Sequence, residues 1–85
     1  MACFVYVLRN LATSRLYTGC ASDPVQRLGQ HNAGVTKSTR NRGPWELAYQ
    51  EEFASRAEAM ARERFLKSGQ GRQWLKRVLA EQQRP

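Results

Sequence analysis

The sequence predicts an α/β (α+β) sandwich: a three-stranded, mainly antiparallel sheet flanked by helices, in the order ββαβαα, as one domain over residues 1–85. Three observations predict it. Two β-branched and aromatic runs, Cys3–Arg9 and Arg15–Cys20, flank a short polar turn, the pattern of a hairpin. A third run, Trp45–Phe53, alternates in apolar character. Two helix-start signals follow strands: Ser22-Asp23-Pro24, and Ser55 with Glu58 three residues on.

Taken in order, the first strand begins at Cys3 and stops at Asn10. Side-chain period two places Phe4, Tyr6 and Leu8 on one face and Val5 and Val7 on the other. Both faces are apolar, so the sheet is expected to be covered on each side. Ala12-Thr13-Ser14 forms the turn, and the second strand ends after Tyr17-Thr18-Gly19. The first helix carries Val25, Arg27, Leu28 and His31 and stops at Asn32-Ala33-Gly34. Val25, Leu28 and Asn32 are expected to mark the inward stripe, with Arg27 and His31 at the border with solvent. Gly29 in mid-helix costs about 1 kcal/mol relative to alanine, which a close approach by sheet backbone or ligand would explain.

Val35–Pro44 reads as a loop carrying Lys37, Arg40 and Arg42, cations suited to a phosphate chain or simply to solvent. In the third strand, alternation sets Trp45, Leu47 and Tyr49 against Glu46, Ala48 and Gln50. The second helix shows Ala57, Met60, Ala61, Arg64 and Phe65 at helical period, leaving Glu63 off that stripe. Gly69 and Gly71 are expected to end it as a hinge. A third helix, Gln73–Glu81, has Trp74, Leu75, Val78 and Leu79 on its apolar side.

Composition narrows the function. Fourteen Lys and Arg against seven Asp and Glu give +7, and arginine, the better bidentate phosphate ligand, outnumbers lysine. The excess points to a polyanionic partner. Nucleic acid is favoured over a membrane because the chain has no spanning run, lipidation signal or amphipathic anchor. Two cysteines, Cys3 and Cys20, make neither a zinc motif nor a disulfide framework, and reduced thiols in a cytoplasmic protein are expected.

Tyr6, Tyr17, Arg27 and His31 come from three adjacent elements, with Arg27 and His31 one helical turn apart on one face. Two phenols, a guanidinium and an imidazole delivered together suit a phosphodiester site. With these residues in place, residues 3–75 resemble the GIY-YIG nucleases, particularly the small stand-alone members. Phe4-Val5-Tyr6 and Tyr17-Thr18-Gly19 stand at the two tripeptides; Phe4 replaces a glycine and Thr18 an isoleucine, and neither change removes a reacting group.

The resemblance implies a sandwich fold and a divalent-metal-dependent endonuclease, with DNA favoured over RNA. It makes Tyr6 the general base assisted by His31, with Arg27 on the phosphate and Tyr17 on the phosphate or water. Glu63 becomes the Mg²⁺ or Mn²⁺ ligand, and Gly19 lets backbone approach closely. A phenol of ordinary pKa about 10 needs nearby cations to serve as a base at pH 7, and Arg27 is expected to lower it. Taken singly, a strand tyrosine is a core residue and a Glu between arginines a surface ion pair. Jointly, in family order, these residues favour the nuclease reading. The rivals are a nucleic-acid-binding module with weak or lost catalysis, and a small protein whose basic face meets an acidic partner.

Overall fold

The computed structural model describes residues 2–34 and 44–82; the expected basic rim of Lys37, Arg40 and Arg42 lies outside the described residues. Strand β1 (Cys3–Asn10) is central, flanked by β2 (Leu16–Ala21) and β3 (Trp45–Phe53), and both pairings are antiparallel. Helices α1 (Pro24–Asn32), α2 (Arg56–Lys67) and α3 (Gly69–Gln82) complete the expected order ββαβαα.

The hairpin closes on Asn10. Its side-chain oxygen accepts from the backbone N–H groups of Ala12 and Thr13, at 2.8 and 3.0 Å. The Asx turn so formed lets Ser14 adopt a φ of 64°, and Arg15 re-enters the ladder opposite.

As the double apolar pattern requires, β1 buries both its faces. Val5 and Val7 pack with Ala59, Leu66 and Leu75 of α2 and α3. Tyr6 and Leu8 pack on the other side with Trp45, Tyr17 and Leu28. Alternation fails in β3 because the register shifts between Val7 and Leu8: Leu8 pairs with Leu47, but Val7 with Tyr49. Ala48 is the extra residue of a bulge, so Trp45 and Leu47 stay on the α1 face while Tyr49 turns to the α2–α3 face. There Tyr49 meets Trp74 edge-on, with ring centroids 5.8 Å apart.

Both helix stripes differ from expectation. In α1, Val25 is 68% exposed, whereas Pro24 and His31 are buried. The helix is anchored at its end: Asn32 Nδ2 donates to the Trp45 carbonyl at 3.1 Å, and Trp45 N–H donates to Asn32 Oδ1 at 2.8 Å. That clamp turns His31, not Val25, to the sheet. In α2 the buried positions are Ala59 and Leu66, so Ala57, Met60, Ala61, Arg64 and Phe65 face outward. Glu63 lies on the inner side, at i+4 from Ala59. Small Ala59 lets the helix approach the sheet, a preference that a count of bulky apolar side chains hides.

The α2–α3 corner is tighter than a glycine hinge. Helix α2 ends at Lys67, Ser68 breaks it, and Gly69 and Gly71 form the first turn of α3. A Cβ on Gly71 would fall 2.0 Å from the Phe65 carbonyl oxygen, so only glycine permits this corner.

Candidate active site

Tyr6 projects from the middle of β1 onto the α1 face and crosses Gly19, its partner in β2. A Cβ at position 19 would stand 2.7 Å from the Tyr6 hydroxyl and 2.8 Å from its Cζ. The close approach that Gly19 allows is therefore made by the Tyr6 phenol, not by a passing backbone. The hydroxyl lies 3.1 Å from His31 Nε2, a bond between side chains that are 0% and 1% exposed. His31 is an inward member of the cluster, not the border residue that helical spacing implied.

Tyr17 completes the cluster from β2. Its ring meets the His31 ring edge-on at 4.8 Å, and the Tyr6 and Trp45 rings each lie 6.4 Å from it. Arg27, one turn before His31, is half-buried. Its Nη1 donates to Gln30 Oε1 at 3.1 Å, and its buried Nε has no partner among the described residues. An orphaned guanidinium N–H is costly in a folded interior and is satisfied when an anion such as a phosphate oxygen arrives.

Burial sets the titration of the central pair. It pushes the Tyr6 phenol above its ordinary range; Arg27 pulls the other way but does not win. The expected lowering of this pKa is thus reversed, because desolvation outweighs one neighbouring cation. The His31 imidazole is held below its ordinary value by burial first and by Arg27 second. Both groups are neutral near pH 7, which suits a phenol donating to an imidazole nitrogen.

Glu63 comes from the other helical layer. Its carboxylate stands beside the Cys20 thiol on edge strand β2; burial first, and this carboxylate second, push that thiol up to about 12. It pairs with Lys67 at 3.3 Å rather than with the adjacent arginines. Arg62 is committed to Glu51, through bonds of 2.9 and 3.2 Å, and to the faces of Phe65 and Trp74. Tyr6 and Glu63 thus flank β2 from different layers, and the carboxylate's charge still raises the Tyr6 phenol. Tyr6, Tyr17, Arg27 and His31 form one contiguous cluster, with Glu63 across the edge strand from it.

The family model of the GIY-YIG catalytic domain matches residues 2–76. The chain belongs to the GIY-YIG family. Among its relatives, a UPF0213 protein of Staphylococcus haemolyticus is 41% identical over 76 residues, covering 88% of this chain and 92% of that one. A UPF0213 protein of Natronomonas pharaonis is 44% identical over 66 residues, 76% of each. The solution NMR structure of a UPF0213 protein from Bacillus halodurans matches with a TM-score of 0.55 at 33% identity. It covers 92% of this chain and 85% of that one, and so supports the GIY-YIG fold described above.

Sequence reasoning missed the roles of two residues that shape this GIY-YIG site, although Asn32 stood on the expected inward stripe. Asn32 sets the rotation of α1, and its signal, a lone amide at a helix end, is common to many caps. Gln30 holds Arg27, and the i, i+3 spacing of the two was legible.

Proposed function

We propose that the protein is a divalent-metal-dependent endonuclease that hydrolyses phosphodiester bonds in DNA. The observation that carries this reading is the buried Tyr6–His31 hydrogen bond beside the unpartnered Nε of Arg27. An enclosed phenol–imidazole pair next to a guanidinium with an unpartnered Nε–H is a poor way to stabilise a core and a good way to receive a phosphate. Membership of the GIY-YIG family supports a nucleolytic reaction class.

Arg27 binds the phosphate, and Tyr17, half-exposed at the rim, hydrogen-bonds the phosphate or the attacking water. A free phenolate is disfavoured at Tyr6, so the phenol relays. As water attacks phosphorus, its proton passes to Tyr6 Oη while the Tyr6 proton passes to His31 Nε2. The P–O bond to the leaving oxygen breaks, and that oxygen is protonated from solvent. His31, held as a neutral acceptor, stores the proton. Neither Tyr6 nor His31 meets bulk solvent in the free protein, so water enters past the Tyr17–Arg27 rim.

Glu63 would hold the metal. Among the described residues no three His, Cys, Asp or Glu side chains cluster as ligands. A single carboxylate nevertheless fits Mg²⁺ or Mn²⁺, which takes its other ligands from phosphate oxygens and water. Such an ion, when bound, polarises the phosphate and stabilises the leaving alkoxide. The Lys67 pair is partly exposed and easily given up.

A reducing, cytoplasmic setting fits the free thiols of Cys3 and Cys20, and repair, recombination or mobile-element processing fits the reaction class. Among the described residues no helix is long and apolar enough to cross a membrane. Glu63→Ala tests the reading against a catalytically silent binding module: cleavage should vanish while DNA binding persists. A folded Glu63→Ala protein that cleaves at the wild-type rate would remove the metal ligand from the account.

A further inference from the structure

A groove of about 920 Å³ runs along the hairpin end of the sheet, between edge strand β2 and α3. Its rim is basic. Arg15 comes from the hairpin, Lys67 from the end of α2, and Arg72 and Lys76 from successive turns of α3. Arg15, Arg72 and Lys76 are exposed and have no carboxylate partner among the described residues. Glu46 is the one acid among the described lining residues, and Arg9 already holds it at 2.7 Å. Apolar side chains also line it: exposed Leu11 and half-buried Leu16 and Tyr17 reach its surface, with Leu66, Leu75 and Leu79 buried behind them.

A cationic rim beside accessible apolar side chains asks for a ligand that is anionic along one edge and flat and apolar along the other. An unpaired nucleic-acid strand has that chemistry, because its phosphates follow a basic track while its base faces seek apolar cover. A duplex lacks it, since its bases are stacked inside. The groove also leads to the catalytic cluster. Tyr17 lines it and touches His31, and Lys67 lines it and pairs with Glu63.

We propose that the groove between the β1–β2 hairpin and α3 receives an unpaired stretch of nucleic acid flanking the scissile phosphate. Its phosphates lie on Arg15, Arg72 and Lys76, and its bases on Leu11, Leu16 and the Tyr17 ring. This assignment rests on the nuclease reading and extends it, making the preferred substrate single-stranded beside the cut.

The test is binding of the full chain, in EDTA, to a short labelled single strand, the same strand without bases, and the matching duplex. The variant carries Arg72→Glu with Lys76→Glu. A control carries Arg64→Glu with Arg77→Glu, two exposed cations outside the groove. The groove variant should bind the single strand about ten-fold or more weakly, and its log–log salt slope should fall by about 1.4, two contacts at ~0.7 each. The control should move the slope less than half as far, the duplex should be affected less, and the base-free strand should bind more weakly than the intact one. Equal losses in both double variants would overturn the assignment. So would equal binding of intact and base-free strands, or displacement of the strand by poly-glutamate at matched charge, which would make the groove an acidic-protein site. Wild-type cleavage in Mg²⁺ is scored in parallel. No cleavage of any substrate fails the nuclease reading, whereas cleavage with strand binding unmoved by the α3 reversals fails the groove alone.

Discussion

At the scale of the residue, the site depends on Tyr6 lying over a position without a side chain. Gly19→Ala should push the phenol off His31 while leaving the sheet paired. A displacement near 1 Å at a reacting group costs about 100-fold in rate, so cleavage should fall by that order with a cooperative melt retained. Plasmid nicking beside thermal denaturation measures both, and full activity in Gly19→Ala would show that the Tyr6 pose does not matter.

The same pair sets a pH window. His31 titrates lower in the folded chain than unfolded, so the unfolded state binds more protons below about pH 6.5 and stability falls as pH drops through that value. Tyr6 titrates higher when folded, so the unfolded state loses protons first and stability falls above about pH 10. Between those limits neither group imposes a penalty. His31→Phe should flatten the acid limb below about pH 6.5, at a cost of about 1–3 kcal/mol from the unpaired Tyr6 hydroxyl. Urea melts across pH settle this; an unchanged acid limb would mean that His31 does not stay neutral.

At the scale of the element, strand existence and order were legible, because the β-branched runs and caps of Ser55 and Asp23 act locally. Facing was legible only where the ladder is regular. The period-two reading of β1 holds, but the same reading of β3 breaks at Ala48, since a bulge is fixed by the partner strand and leaves no mark in the alternation. Stripes on α1 and α2 were misjudged for a related reason. Asn32 clamps α1 from its end, and α2 uses small Ala59 and polar Glu63 at the sheet, so the bulkiest apolar residues are not the innermost. The cluster of Tyr6, Tyr17, Arg27 and His31 was legible from element order and helical spacing, whereas its burial was not, and with that went the sign of the Tyr6 shift.

Gly29 belongs to this scale too. A Cβ there meets nothing within 4 Å, so no part of the described chain requires glycine. Gly29→Ala should therefore stabilise the fold by roughly 0.5–1 kcal/mol, raising Tm by about 2–8 °C in a domain of this size. Higher Tm with normal cleavage makes Gly29 incidental; a lower Tm would contradict the open surroundings of the helix face.

At the scale of the whole molecule, two helical layers clasp a three-stranded sheet and bring their functional groups to the same edge strand. Helix α1 contributes Arg27 and His31, helix α2 contributes Glu63, and β2 lies between them with Tyr17, Gly19 and Cys20. The surplus of seven positive charges favours a phosphate backbone over a neutral ligand. In the proposed reaction the buried phenol would act from one side of this edge, and the Glu63 carboxylate would hold the ion on the other. The most direct measurement is nicking of supercoiled plasmid by the full chain in Mg²⁺ or EDTA, run with Tyr6→Phe and Glu63→Ala. Nicking should require the metal and be lost in both variants while each still folds and binds DNA. Equal nicking in EDTA, or undiminished nicking by Tyr6→Phe, would contradict a metal-dependent phosphodiesterase centred on Tyr6.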